Sequence, residues 1–365
     1  MSIVRKSIVS RKNVIGILIA GGFSLSHAVA YAQGSITLYG LTDAALLYTS
    51  KTLNETTGQN AGHQFSAIST GMSPSNFGIT GTEELGGNTK VKFKLESGIS
   101  MMTGRLNDSN GNFFGRQAYV GLDSDYGSVA AGLQFSPFFI ALYETDARRL
   151  SEFGSGVIHY ADQVLVTGMF NSNAITYTSP TLYGFQGSVL FAFGGEPGNF
   201  QAGRQYSASL KYENGSLLVN AAVYSGKGGG TAQTPVPSTV EFWGRTIGLT
   251  YNFGVVTAKV QFVNYKVAGS FNENVYSGGL DSYVTPALNI NGGVYYASDR
   301  NHTTNHSIMG AVGTTYNLSK RTALYSQFAA VNNHGAMNTG LSINGAFYGV
   351  QGTTLGATVG IRHVF

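Results

Sequence analysis

The sequence predicts an all-β chain, specifically a 16-stranded antiparallel transmembrane β-barrel. Three observations carry that prediction. Only 11% of the 365 residues are charged, while 50 are Gly, 21 Tyr and 22 Phe, against about 25% charged and roughly 7% Gly in an ordinary soluble chain. Apolar residues recur with period two through most of the sequence, the signature of half-buried strands. Short and long connections alternate between those strands, as they do in barrels that cross an outer membrane.

The first 32 residues form a separate segment. Arg5, Lys6, Arg11 and Lys12 precede the short apolar run "VIGILIAGGFSL", and "AYA" at residues 30–32 supplies an A-x-A cleavage pattern. The run is shorter than the roughly 18 residues of a membrane span, so residues 1–32 read as a cleaved signal peptide and 33–365 as the barrel domain. Those four cations account for the whole net charge of +4. Residues 33–365 are therefore charge-balanced, and the basic isoelectric point is no argument for a nucleic-acid partner. With no Cys, neither disulfides nor Cys-based metal sites are available.

Alternation begins at "SITLY" (residues 35–39). It continues in "SVAAGLQF", with Val129, Ala131, Leu133 and Phe135 on one side, and in "FQGSVLFAF", with Phe185, Val189, Phe191 and Phe193. "SLLVNAAV" gives Leu217, Val219, Ala221 and Val223, and "VVTAKVQF" sets Val256, Ala258, Val260 and Phe262 against Thr257, Lys259 and Gln261. The turns "ELGGN", "SDYG", "ENG", "NFG" and "NLSK" have hairpin chemistry. Residues 51–65, 100–112, 138–170, 227–240, 299–305 and 333–350 are long polar connections. Counting on this rhythm gives 16 strands. A sheet crosses a bilayer only when closed, because hydrocarbon offers no partner to an open edge. In the last strand, "TLGATVGIRHVF", the alternate residues from Leu355 to Phe365 face lipid and Arg362 faces inward, and Phe365 is placed to close the barrel against the first strand.

The stretch "TKVKFKLESG" fixes which face is which. With Val91, Phe93 and Leu95 toward lipid, Lys90, Lys92, Lys94 and Glu96 line the lumen. The opposite choice would place three Lys in hydrocarbon at about 2–4 kcal/mol each near the midplane.

Five segments, in order, carry a family resemblance: "SITLYGLTDAAL", "NFGITGTEELGGNTKVKFKLESG", "GRQAYVGLDSDYGSVAAGLQF", "AITYTSP" and "VGIRHVF". Together they resemble the general diffusion porins of Gram-negative outer membranes in their β-proteobacterial form. The resemblance implies a homotrimer of 16-stranded barrels, each with a water-filled channel passing ions and small hydrophilic solutes. It also implies contact with outer-membrane lipid and lipopolysaccharide, and insertion by the barrel-assembly machinery through the C-terminal strand. The third external loop, residues 138–170, is expected to fold inward and narrow the pore. It contains "SEFG", similar to the Pro-Glu-Phe-Gly element of porin constriction loops, with Ser151 in place of Pro ahead of Glu152, Phe153 and Gly154.

The loop carries Glu144, Asp146, Glu152 and Asp162 against Arg148 and Arg149, a sum of −2. Arg116 matches one of the wall cations such porins set opposite the loop. Taking Tyr119 to face lipid, parity turns Arg116, Ala118 and Val120 inward. Asn76 stands where a second wall Arg is usual, and "GMFNSN" (residues 168–173) lacks a third. An acidic loop facing a thin set of wall cations predicts weak selectivity leaning to cations.

Other chemistry finds little footing. His302 and His306 lie in a polar connection without Cys or acidic partners at ligand spacing, and "SGKGGG" lacks the first Gly and the Ser/Thr of a phosphate loop. No cofactor or metal is expected, and the chain does not read as an enzyme. The alternative readings are a substrate-specific channel, which would line its lumen with aromatic tracks around a saturable site, and a barrel enzyme or adhesin.

Overall fold

The wall of the molecule is a sheet whose first strand meets its last. The computed structural model describes residues 34–163, 168–230 and 235–365, and the expected signal peptide lies outside them. The strands are β1 (Ser35–Thr49), β2 (Gln64–Ser69), β3 (Asn76–Gly86), β4 (Thr89–Gly98), β5 (Gln117–Ser124) and β6 (Gly127–Gln134). Two helices, α1 (Pro137–Thr145) and α2 (Gly156–Gln163), precede β7 (Asn171–Thr178), β8 (Phe185–Ala192), β9 (Gln205–Asn214), β10 (Leu217–Gly230) and β11 (Pro235–Asn252). Then come β12 (Val256–Val267), β13 (Asn272–Tyr283), β14 (Leu288–Asp299), β15 (His306–Asn317) and β16 (Thr322–His334). A small hairpin, β17 (Thr339–Ser342) and β18 (Ala346–Tyr348), precedes β19 (Gly352–Val364).

All but the hairpin join one antiparallel sheet. β2 pairs with one half of β1 and β3 with the other, so the two are one wall strand interrupted at residues 70–75. That makes 16 wall strands, as the sequence predicts. The interruption frees backbone donors that must be satisfied. Asp43 does so, its carboxylate accepting the N–H groups of Gly71 (3.1 Å), Met72 (3.0 Å) and Ser73 (2.9 Å) and the hydroxyl of Tyr325. β1 and β19 close the barrel, and beyond β19 Phe365 exchanges both backbone hydrogen bonds with Gly40, at 3.0 and 3.1 Å.

Register assigns the faces. Val91, Phe93 and Leu95 lie opposite Leu122, Val120 and Ala118, and Val120 is 55% exposed on the outside. Lys94 lies opposite Tyr119, so Tyr119 faces the lumen and Val120 the outside. This corrects the parity assumed for β5. An aromatic residue suits a membrane face or a wet wall equally, so Tyr119 alone does not identify the lipid side.

Connection lengths follow the expected two classes with three differences. Residues 227–240 are largely continued strand, β10 running to Gly230 and β11 starting at Pro235. A further long connection, residues 193–204, joins β8 to β9, and residues 268–271 make a short link between β12 and β13 on the long-loop end.

The third long connection turns into the barrel. Pro137 opens α1 at a position where a missing N–H costs nothing, and Ser136 caps it by accepting the Phe139 N–H at 3.1 Å. Phe138 is fully buried beneath this helix, among Tyr160 of α2 and the wall residues Tyr224, Phe242 and Tyr265. The apolar core of the protein is thus this seam between loop and wall.

Candidate functional site

The loop lies close to the wall because the wall lacks side chains there. A Cβ on Gly248 would stand 2.4 Å from Thr145, and Cβ atoms on Gly279 and Gly293 would stand 2.7 and 2.8 Å from Ala147. From the loop side, Gly154 has φ +61°, and a Cβ there would meet Ala311 at 2.7 Å. The three wall glycines sit on β11, β13 and β14, so the bed for the loop spans several strands.

Hydrogen bonds then fix the loop. Arg148 is buried, donating to Asn291 on β14 (2.9 Å), Gln327 on β16 (2.6 Å) and the carbonyls of Phe153 (2.7 Å) and Gly154 (2.9 Å). Asp146, equally buried, accepts the N–H groups of Arg148 and Leu150 at 2.8 Å, that of Gly156 at 3.1 Å, and the Tyr295 hydroxyl at 3.3 Å. Glu144 pairs with Lys211 on β9 (3.3 Å) and accepts from Asn220 on β10 (2.7 Å), while its carbonyl accepts from Lys259 on β12 (3.1 Å). Ser151 replaces the rigidity of a proline with a 3.0 Å hydrogen bond to Gln327.

Glu152 and Phe153 tie the far end of the loop to the β17–β18 region. The Glu152 N–H donates to Met72, its carbonyl accepts from Ile343, and Phe153 bridges to Ser342. Burial pushes the Glu152 carboxyl well above the usual carboxylate range. The nearby Asp108 raises it further, against the opposing pull of Arg116. Asp162 lies in α2, and its side chain is outside the described residues.

Of the loop's acids, Glu144 is turned to the wall and Asp146 and Glu152 are buried, so the sum of −2 overstates the negative charge that these residues present to the lumen. Among the loop's described ionic side chains Arg149 is the exposed one, held outward in the left-handed region at φ +54°. The expectation of a cation-leaning constriction treated each residue as a free charge, which Glu144, Asp146 and Glu152 are not.

Across the lumen, Arg116 bonds Glu96 at 2.8 Å, Lys94 approaches the same carboxylate at 3.2 Å, and Tyr39 donates to it at 2.8 Å. Lys92 pairs with Asp123 at 2.6 Å and Lys90 with Glu84 at 2.8 Å. Every Lys of this ladder is thus matched by an acid. Asn76 donates to the Pro74 carbonyl at 2.8 Å, and Arg362 reaches Ser73 at 3.4 Å.

Arg116, Asn76, Arg148, Arg149, Glu152 and Arg362 all border one lumenal space of about 790 Å³. Sequence reasoning missed Asp43, Asp281, Asn291 and Gln327, which the barrel brings to that space or its supports from distant strands, and Asp108, which reaches it from the β4–β5 connection. Parity placed Lys259 inward but gave no sign of its bond to the loop.

The Gram-negative porin family matches residues 21–336. Outer membrane porin protein 32 of Delftia acidovorans is 30% identical over 95% of this chain and 99% of its own length. An outer membrane porin protein of Bordetella pertussis is 27% identical over 97% and 100%. Among solved structures, an anion-selective porin from Comamonas acidovorans superposes with a TM-score of 0.79 at 26% identity, covering 91% of this chain and all of the other. A trimer form of OmpT, an outer membrane protein of Vibrio cholerae, superposes at 0.65 with 14% identity over 91% and 99%, a likeness of fold. A closed 16-stranded barrel, a loop docked inside it and these matches make the chain a member of the Gram-negative porin family, an outer-membrane β-barrel.

Proposed function

We propose that this porin is a homotrimeric general diffusion channel that passes ions and small hydrophilic solutes and favours anions weakly. The observation that carries the sign is the division of charge in the constriction. Glu144 and Asp146 are spent on wall and backbone partners, whereas Arg149 is exposed. Around the narrowed space, Arg116 is paired with Glu96 and Arg148 is buried, which leaves Arg149 and Arg362 against Asp108 and Asp281, with Glu152 held toward its neutral form by burial. Fixed charges in a narrow aqueous passage select by sign, and paired or buried ones contribute little.

The anion-selective character of the Comamonas porin supports the same sign, and the trimer form of the Vibrio protein supports the assembly. The relatives from Delftia and Bordetella are porins, which supports a channel over an enzyme. The apolar outer face suits lipid and the acyl chains of lipopolysaccharide, and the C-terminal strand is assigned as the segment the barrel-assembly machinery reads. Zero-current potentials across a KCl gradient in planar bilayers test the proposal. The expected potential has the sign of a channel favouring Cl⁻, and a potential of the K⁺-favouring sign overturns it.

A further inference from the structure

Helix α1 is apolar on both sides, yet only one side is covered. Phe138, Ala141 and Leu142 are buried against the wall, while Ile140 and Tyr143, three residues apart on one face, are 40% and 49% exposed and border the lumen. A helix that is apolar all round is normally buried. Here the second face is turned to channel water.

It does not stand alone. Phe135 borders the same space, its ring 5.2 Å from Phe139 and 6.0 Å from Phe170, with the Arg116 guanidinium 5.8 Å above it. The same space carries Arg149 and Arg362. Its volume of about 790 Å³ lies within the range of about 300–1,000 Å³ typical of small-molecule sites. A passage serving only hydrated ions gains nothing from an apolar side, since apolar surface left in water is unfavourable and offers a hydrated ion no polar contact. An apolar surface beside Arg149 and Arg362, which have no ion pair among the described residues, is complementary to a solute with an aromatic body and a carboxylate.

Building on the anion-favouring channel proposed above, we propose that the constriction is a saturable binding station for aromatic carboxylates. The ring rests on Ile140, Tyr143 and Phe135, and the carboxylate is drawn toward Arg149 and Arg362. The station slows the solute at the narrowest point and concentrates it there, so transport of this class saturates while that of chloride does not.

Reconstituted trimers in planar bilayers test this with benzoate, acetate and benzyl alcohol added to KCl. Benzoate is expected to reduce the chloride current saturably, with half-block at least about tenfold below that of acetate, since the apolar ring adds burial that acetate lacks. Benzyl alcohol, which has the ring without the charge, is expected to block no better than acetate. Ile140→Asn with Tyr143→Ser should raise the half-block concentration for benzoate several-fold, each channel being normalised to its own KCl conductance. Equal block by benzoate and acetate, equal block by benzyl alcohol, or an unaltered half-block in the double variant overturns the inference.

If the variant does not assemble, the unaltered channel decides the matter through acetate, butyrate and hexanoate. Half-block must fall along that series, and a flat series sinks the station. A channel that conducts chloride without benzoate block defeats this inference alone, whereas a preparation without conductance defeats the channel reading and this with it.

Discussion

Two sectors of the wall do opposite jobs with opposite residues. On β3–β5 the inward face carries long charged side chains, and they are paired: Lys92 with Asp123, Lys94 and Arg116 with Glu96. On β11–β14 the inward face carries Gly248, Gly279 and Gly293, and the loop occupies the space that side chains would fill. The first sector keeps a wall wet by projecting charge that its own neighbours neutralise. The second gives up side chains so that another segment can supply the surface. Pore geometry is therefore decided on the sector with the least sequence character, and that is where substitutions should cost most.

The largest effect is expected at Arg148. Arg148→Met leaves Asn291 and two loop carbonyls without their donor, and Gln327 with that of Ser151 alone, at about 1–3 kcal/mol for each buried group not rescued by water. Single-channel conductance should rise and become noisy as the loop detaches, and a quiet channel of parental conductance would show that packing alone holds it. Next comes the glycine bed. Gly279→Val with Gly293→Val drives side chains into Ala147 and, at residue 279, also into the Gly292 carbonyl of the next strand, an overpacking cost of about 1–3 kcal/mol per site, seen as a lower thermal transition and a wider pore. A double variant indistinguishable from the parent would show that the loop does not rest on these glycines.

Glu152 gives a smaller, pH-dependent effect. Its folded carboxyl titrates above the usual range, so the folded loop holds the proton more tightly than the unfolded chain does. Its stability contribution is fully present below the unfolded value of about 4.3 and is lost as pH rises toward the folded value. The thermal transition of the parent should therefore fall between pH 4 and pH 7 by more than that of Glu152→Gln, and parallel curves would contradict the buried-acid assignment.

The smallest effect belongs to the charged sector. Glu96→Gln unpairs Arg116 and Lys94 inside the lumen and should shift the zero-current potential modestly further toward Cl⁻. Lys90→Ala, at an exposed pair, should leave that potential unchanged. If the two substitutions shift the potential equally, burial of the pair is not what matters.

The sequence made the barrel legible because strand alternation is local. Val91, Phe93 and Leu95 identify a lipid-facing side within five residues, and the alternating connections set the strand count. The interruption at residues 70–75 was not legible, since Asp43 accepts its N–H groups from nearly thirty residues away. Nor was the loop's electrostatic face, because Glu144 finds Lys211 and Arg148 finds Gln327 only once the wall has closed. Glycines such as Gly279 and Gly293 read locally as weak strand residues, and their use depends on Ala147, more than a hundred positions earlier.

Arg148 and Arg149 are neighbours in the chain with separate tasks. A left-handed turn at Arg149 and Leu150, φ +54° and +51°, sends one guanidinium into the protein and the next into water. Bore and polarity are thereby placed on different residues. If the channel favours anions as proposed, replacing residue 149 is expected to weaken that preference at constant diameter, and replacing residue 148 to change the diameter first. A lineage carrying this turn can adjust which solutes it admits in single steps, without passing through a channel that has lost its shape.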